Sequence, residues 1–245
     1  MSQIRPLAID LFCGLGGWAE GFLSEGWDVI GFDVERHDYG TGGYPGQLVL
    51  QDVTTLDGSQ FRNAAVIVAS PPCQAYSYRA MPWKRAKALP PPDNTLFETC
   101  FRLQREAIEA TSKDCPDCGG WAERRTGHEC STCNGTGEIT RYIPLVVENV
   151  KGAQKWVGRA AWKYKSFHLW GDVPALMPLP VAGFEGFKGF KADWRNCEAS
   201  RRYSSHSKER KQWSAEIAKI PFPLAQHIAR VFKPTFHVEH PVSGL

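Results

Sequence analysis

"PLAIDLFCGLGG", Pro6 to Gly17, decides how the rest of the chain is read. PLAIDLF has the composition of a buried strand, and GLGG follows it at once as a turn with almost no side-chain bulk. WAEGFLSEG then reads as a short helix ending at Gly26. Strand, glycine turn and helix in that order open an α/β unit, in which a ligand approaches the backbone where the helix begins. The pattern continues outward: WDVIGFDV is a second strand ending in acids, LVLQDVTTL a third ending at Asp52, AAVIVASPP a fourth and YIPLVVENV a fifth. Thr95 to Thr111 has helix-forming composition, with apolar residues at Leu96, Phe97, Cys100, Leu103 and Ile108. Strands separated by helix-length connections predict parallel pairing in a doubly wound, Rossmann-like α/β sheet.

With 245 residues, 42% hydrophobic and 22% charged, the chain suits one α/β domain carrying a small insertion. No apolar run of about 18 residues exists to span a bilayer. The first residues, MSQIRPLAIDLF, lack the apolar core and cleavage site of a signal peptide. Together these predict a cytoplasmic protein with no membrane partner. A net charge of +3 neither requires nor excludes a polyanion. Local clusters say more: Arg79, Lys84, Arg85 and Lys87 surround Trp83, and Arg201, Arg202, Lys208, Arg210 and Lys211 lie near Tyr203 and Trp213. Cations interleaved with aromatics suit phosphate backbones and stacked bases.

Four of the eight cysteines fall in CPDCGGWAERRTGHECSTCNGTGE: Cys115, Cys118, Cys130 and Cys133. Each Cys-x-x-Cys turn points two thiolates at one ion, and two such turns complete a tetrahedral sulfur site for structural zinc. The segment resembles the Cys-x-x-Cys-x-Gly-x-Gly zinc modules of one class of co-chaperones, most closely at Cys130 to Gly137. It sits between a helix end and a strand start, so it is predicted to lie on the sheet edge away from the ligand. Its role there would be to support the fold, or to touch another protein or distal DNA.

The strand ends carry the chemistry. Asp33 ends the second strand, where a carboxylate can accept ribose hydroxyls, and Asp52 ends the third, where it can take an adenine amino proton. The glycine turn lacks a full Gly-x-Gly-x-x-Gly, which argues against a pyrophosphate and so against NAD. In IVASPPCQAYSYRA, a double proline ends the fourth strand and exposes Cys73, an intrinsically strong nucleophile. Glu148 ends the fifth strand on the same predicted edge; a protonated carboxyl there can donate to a ring nitrogen and make a pyrimidine electrophilic.

DLFCGLGG (10–17), SPPCQAYS (70–77) and ENV (148–150) resemble, in order and spacing, the strongest motifs of the cytosine-C5 DNA methyltransferases; FDVE, QDVTTL and NTLF are weaker matches, and AKIPFPLAQHIARVF resembles the last motif. The resemblance implies S-adenosylmethionine as methyl donor. It implies that Phe12 stacks on adenine, that Gly14, Leu15 and Gly16 line the methionine and ribose side, and that Asp33 with Val34 holds the ribose. Asp52 and Val53 would meet the adenine edge, with Ser70, Leu96 and Ile220 completing the donor site. Cys73 would attack C6 of a cytosine extruded from DNA, Glu148 would bind the N3 and exocyclic amino edge, and Asn149 would either touch the base or fix the backbone of its turn. The basic and aromatic Tyr76 to Lys87 loop would close over the DNA.

The parts divide as 1–112 and 141–155 for the catalytic core, 113–140 for the zinc insertion, 156–213 for a reduced DNA-recognition region, and 214–245 for a C-terminal helix and tail returning to the core. Two departures stand out. No Gln-x-Arg-x-Arg follows ENV, and Ala218 stands where the last motif often has a side-chain amide. So short a recognition region predicts relaxed or very short sequence preference, and the compact form resembles phage or prophage orphan methyltransferases, which ties it to DNA modification and restriction-modification. Two alternatives use the same residues: an RNA cytosine-C5 methyltransferase, and a catalytically inactive zinc-containing nucleic-acid-binding protein.

Overall fold

The computed structural model describes residues 5–39, 42–122, 129–178 and 207–234. Short runs rich in β-branched residues, the central ones buried almost without interruption, build a seven-stranded sheet of order β3-β2-β1-β4-β7-β9-β8. Its strands are β1 (Leu7–Leu11), β2 (Asp28–Asp33), β3 (Gln47–Leu50), β4 (Val66–Ala69), β7 (Leu145–Val150), β8 (Trp162–Tyr164) and β9 (Phe167–Gly171). Neighbours from β3 through β7 pair in parallel. β9 runs antiparallel to both β7 and β8. The mixed α/β class read from the sequence is therefore the one found.

Parallel strands buried on both faces need cover on both. On one face Ile9, Leu11, Ile67, Ala69, Leu145 and Val147 pack against α4 (Thr95–Glu109), which buries Phe97, Cys100, Leu103 and Ala107 along one stripe. On the other, Ala8, Val66, Val68 and Val146 meet α1 (Gly17–Ser24) and the C-terminal helix α7 (Phe222–Phe232). α1 and α7 approach closely because α1 presents glycine: a Cβ at Gly21 would stand 2.4 Å from the Ala225 Cβ, and one at Gly17 would stand 2.5 Å from the Ile220 amide nitrogen. The remaining helices are α2 (Gln74–Arg79), α3 (Lys84–Lys87), α5 (Gln154–Val157) and α6 (Lys208–Ala218).

Three sequence expectations change here. The third strand stops at Leu50, because Asp52 accepts from the Thr54 amide and opens a 3-10 turn (Val53–Thr55). The Tyr76 to Lys87 stretch is largely helical, α2 followed by α3, and Tyr76 is buried. Trp162 to Gly171, placed with DNA recognition, instead adds β8 and β9 to the sheet, with Tyr164, Phe167 and Leu169 facing the core. Arg201, Arg202 and Tyr203 of the second basic cluster lie outside the described residues, as does the side chain of Arg210. No described helix is long and apolar enough to cross a membrane.

The cysteine insertion springs from the opposite edge. A two-stranded ribbon, β5 (Lys113–Asp114) with β6 (Glu138–Ile139), leaves the end of α4 and returns before β7. Arg141 fastens it, donating to the Ala64 carbonyl at 2.9 Å and to that of Arg62, just ahead of β4. The ribbon therefore lies at the strand starts, whereas Cys73 follows a strand end.

Candidate active site

The C-terminal ends of β1, β2, β4 and β7 lie side by side, in register rows Leu11 with Phe32, Leu11 with Ala69, and Ala69 with Val147. Directly beyond β1 the backbone turns left-handed at Phe12 (φ 57°), Gly14 (49°) and Gly16 (74°). Phe12 takes this conformation with a side chain, at a cost of about 1 kcal/mol. Gly16 has no alternative, because a Cβ there would lie 2.4 Å from Pro45 Cδ. The Gly14 amide donates to Asp33 Oδ2 at 2.9 Å, and the Val34 amide to Asp33 Oδ1 at 2.8 Å, so the acid ties the glycine turn to β2.

His37 was not singled out by the sequence, yet its Nε2 stands 3.5 Å from Asp33 Oδ1. Burial works against the Asp33 charge, but His37 and the Gly14 and Glu35 amides outweigh it and hold the carboxyl below its usual range. Reciprocally, the bond to Asp33 raises His37, against the opposing pull of burial. An i, i+4 acid–histidine spacing was the only available signal. A second unforeseen pair lies underneath: Tyr44 donates to Asp10 Oδ2 at 3.0 Å, and burial pushes the Asp10 carboxyl well up. The Tyr44 ring fills the space a side chain at Gly31 would need.

Of the other expected donor residues, Val34 is exposed, Leu96 is half-buried, and Asp52 is exposed with Oδ1 engaged by Thr54. Val53 and Ile220 are buried in the two cores rather than open to the edge, Ile220 against α1. The Val53 turn is itself braced: Arg102 donates to the Thr54 and Leu56 carbonyls and pairs with Glu106 at 2.8 Å. Ser70 Oγ accepts from the Trp18 indole at 3.0 Å, joining the end of β4 to α1.

Cys73 is partly exposed at the N-terminus of α2. Asn149 donates to the Pro71 carbonyl at 3.0 Å and is almost fully buried, so its amide fixes the turn before Cys73. Behind the cysteine, the Tyr76 hydroxyl donates to Asn94 Oδ1 at 3.0 Å. Gly152 lies so close that a Cβ would stand 2.9 Å from the Tyr76 carbonyl. Glu148 is buried beside this turn, but it does not end the strand as expected: β7 runs two residues further, to Val150, because Asn149 and Val150 still pair with β9. Arg79 does not face outward as a free cation; it donates to the Pro90 and Ala75 carbonyls. Lys84, Arg85, Lys87 and Trp83 are exposed.

Residues 7–106 match the family model for C-5 cytosine-specific DNA methylase. The matched segment covers 100 of the 245 residues. It includes the glycine turn, Asp33, Cys73 and the first three turns of α4. Among solved structures, the chain is similar to one described as a DNA modification methyltransferase encoded within an E. coli prophage, at 20% identity and TM-score 0.35, over 63% of this chain and 35% of that one. It is also similar to a DNMT2 mutant from Spodoptera frugiperda, at 15% identity and TM-score 0.34, over 62% and 38%. Dnmt2 methyltransferase from S. pombe matches at 12% and 0.34, over 63% and 37%. The matched part thus spans little more than a third of each of these chains. No curated protein sequence matches.

Away from the edge that carries Cys73, Cys115, Cys118, Cys130 and Cys133 converge, all four sulfur atoms lying within 4.8 Å of one another. The 3.9 Å between Cys115 and Cys130 and the 3.7 Å between Cys118 and Cys133 match the sulfur–sulfur edge of a tetrahedron with 2.3 Å metal–sulfur bonds, about 3.8 Å. The Gly137 amide donates to Cys133 Sγ at 3.3 Å. The Cys133 and Thr132 amides favour the Cys130 thiolate and lower its pKa to about 6. The donor set therefore fits a thiophilic ion.

Proposed function

We propose that the protein transfers a methyl group from S-adenosylmethionine to C5 of a cytosine in DNA. One observation carries this reading: the glycine turn and Cys73 follow the ends of β1 and β4, and Glu148 lies in the last three residues of the neighbouring β7, on one edge of a chain whose residues 7–106 match the C-5 cytosine methylases. The donor, when bound, supplies an electrophilic methyl group. Phe12, Gly14, Leu15 and Gly16 would hold it, with Asp33 and Val34 at the ribose, Asp52 near the adenine and Leu96 against the ring. Ser70 would line the pocket between donor and base.

Cytosine C5 is a weak nucleophile. Addition of the Cys73 thiolate to C6 forms a carbon–sulfur bond and moves the C5–C6 π electrons onto C5, which can then accept the methyl group. Glu148 holds the N3 and amino edge, stabilising the ring as charge shifts into it. Loss of the C5 proton to a base returns the bonding pair to the ring as the Cys73 sulfur departs with its own electrons, restoring the aromatic system and the thiolate. A thiol cannot reach C6 within a stacked duplex, so the base must leave the helix. Trp83, Lys84, Arg85 and Lys87, exposed beside Cys73, suit the phosphates and bases around it. The four cysteines would hold a structural zinc ion that keeps the ribbon folded.

Transfer of labelled methyl to DNA of varied sequence, beside Cys73→Ala, tests the reading. Label on cytosine C5 that disappears in the variant is the expected result. Label on RNA alone overturns the choice of DNA, and no label from folded, donor-bound protein overturns the activity.

A further inference from the structure

A cleft of about 530 Å³ opens between the cysteine ribbon and the strand starts, on the edge opposite Cys73. Arg62, Asn63, Thr111, Lys113, Thr140 and Arg141 line it, with Ile139; no carboxylate is among these residues. The ribbon sorts its charges to produce this. Lys113 pairs in register with Ile139, and the two share the cleft face, while the next row, Asp114 with Glu138, turns both acids to the other side. Ser112 accordingly hydrogen-bonds Glu138 away from the cleft.

The walls are fixed before any ligand arrives. Arg141 is held by the Ala64 and Arg62 carbonyls, and its own amide donates to Thr111 Oγ1 at 2.7 Å. Arg62 and Lys113 are exposed at the rim. Three cations with hydroxyl and amide groups between them, and no carboxylate among the described residues that line the cleft, favour a phosphate.

We propose that this cleft binds a phosphodiester of nucleic-acid backbone at a second site, separated from Cys73 by at least the length of β4, about 13 Å for its four residues at a strand's rise per residue. The identity of the polymer rests on the nucleic-acid reading above. Binding is measured here without methyl transfer, so loss of that activity and loss of this site are read separately.

The experiment is fluorescence anisotropy of a labelled DNA duplex against salt, with the full chain, the Arg62→Gln/Lys113→Gln variant and the charge-keeping Arg62→Lys/Lys113→Arg variant. Removing one or two phosphate contacts should flatten the slope of log affinity against log salt by about 1 to 2. Between 50 and 200 mM salt, wild-type affinity should then fall about 3- to 12-fold more than that of the neutral variant. The charge-keeping variant should track wild type. An unchanged slope in the neutral variant, or an equal flattening in both variants, overturns the proposal. Titration with inorganic phosphate separates the other source: phosphate binding lost in the neutral variant while the DNA slope stays put would assign the cleft to a free anion and overturn the backbone assignment.

Discussion

Gly21→Ala puts a methyl group into the crossing of α1 and α7, where the new Cβ would sit 2.4 Å from Ala225 Cβ and 2.5 Å from the Gln226 amide nitrogen. Carbon atoms in contact need roughly 3.5–4.0 Å, so the helices must separate by about 1 Å or more. Ala225, Leu224, Ile228 and Ala229 are all fully buried against α1 and the sheet, so separation loosens a whole layer. Overpacking of this kind costs about 1–3 kcal/mol. Alanine also returns about 1 kcal/mol through its better helix propensity. The new Cβ meets backbone as well as a side chain, so the upper part of that range, about 2–3 kcal/mol, applies; the balance is a loss of about 1–2 kcal/mol, or roughly 2–8 °C in melting temperature for a chain of this size. Thermal unfolding followed by circular dichroism measures it. A variant melting at or above wild type would refute the reasoning, because helix propensity would then outweigh a clash that the two backbones can relieve freely.

Tyr76→Phe and Asn94→Ala each break the 3.0 Å bond that holds α2 behind Cys73. Both should lower kcat about 10-fold while leaving donor affinity intact, and the double variant should be no slower than either single one; product-like losses would sink the idea. The His37–Asp33 pair makes stability depend on pH. Because His37 is raised, its contribution is complete below its unfolded value near 6.5 and fades as pH climbs through the folded value. His37→Gln should therefore cost about 1 kcal/mol at pH 6 and little at pH 9 in denaturant titrations, and a pH-independent cost would contradict it. Cys130→Ser should abolish one equivalent of bound zinc and melt the ribbon. Because the ribbon is rooted away from the glycine turn, donor affinity should change less than 3-fold; a larger loss would show that the two edges are coupled.

The strands carrying the candidate site were legible because central parallel strands are continuous apolar runs, and their ends are marked by Gly14, Asp33 and Pro71. What escaped had other physical causes. β8 and β9 are short and rich in aromatic and basic residues, a composition equally suited to a nucleic-acid surface; only pairing with β7 distinguishes the two. α2 and α3 hold six and four residues, too few for a helical period to stand out between prolines. The Asp10–Tyr44 bond joins residues 34 apart through the fold, and nothing local announces it. For Asn149 the sequence left two roles open, the base or the backbone of its turn, and its placement beside the Pro71 carbonyl shows what its amide is occupied with.

The seating of α7 on α1 also sets an order of events during synthesis. Ser24 and Phe222 are about 200 residues apart, so at roughly 5–20 residues per second the first helix leaves the ribosome some 10–40 s before its cover. Trp18 and Phe22 pass that interval without the layer that finally buries them. The helix behind the glycine turn is thus locked only by a segment made about 200 residues later, and a growing chain should acquire the proposed donor affinity late and abruptly.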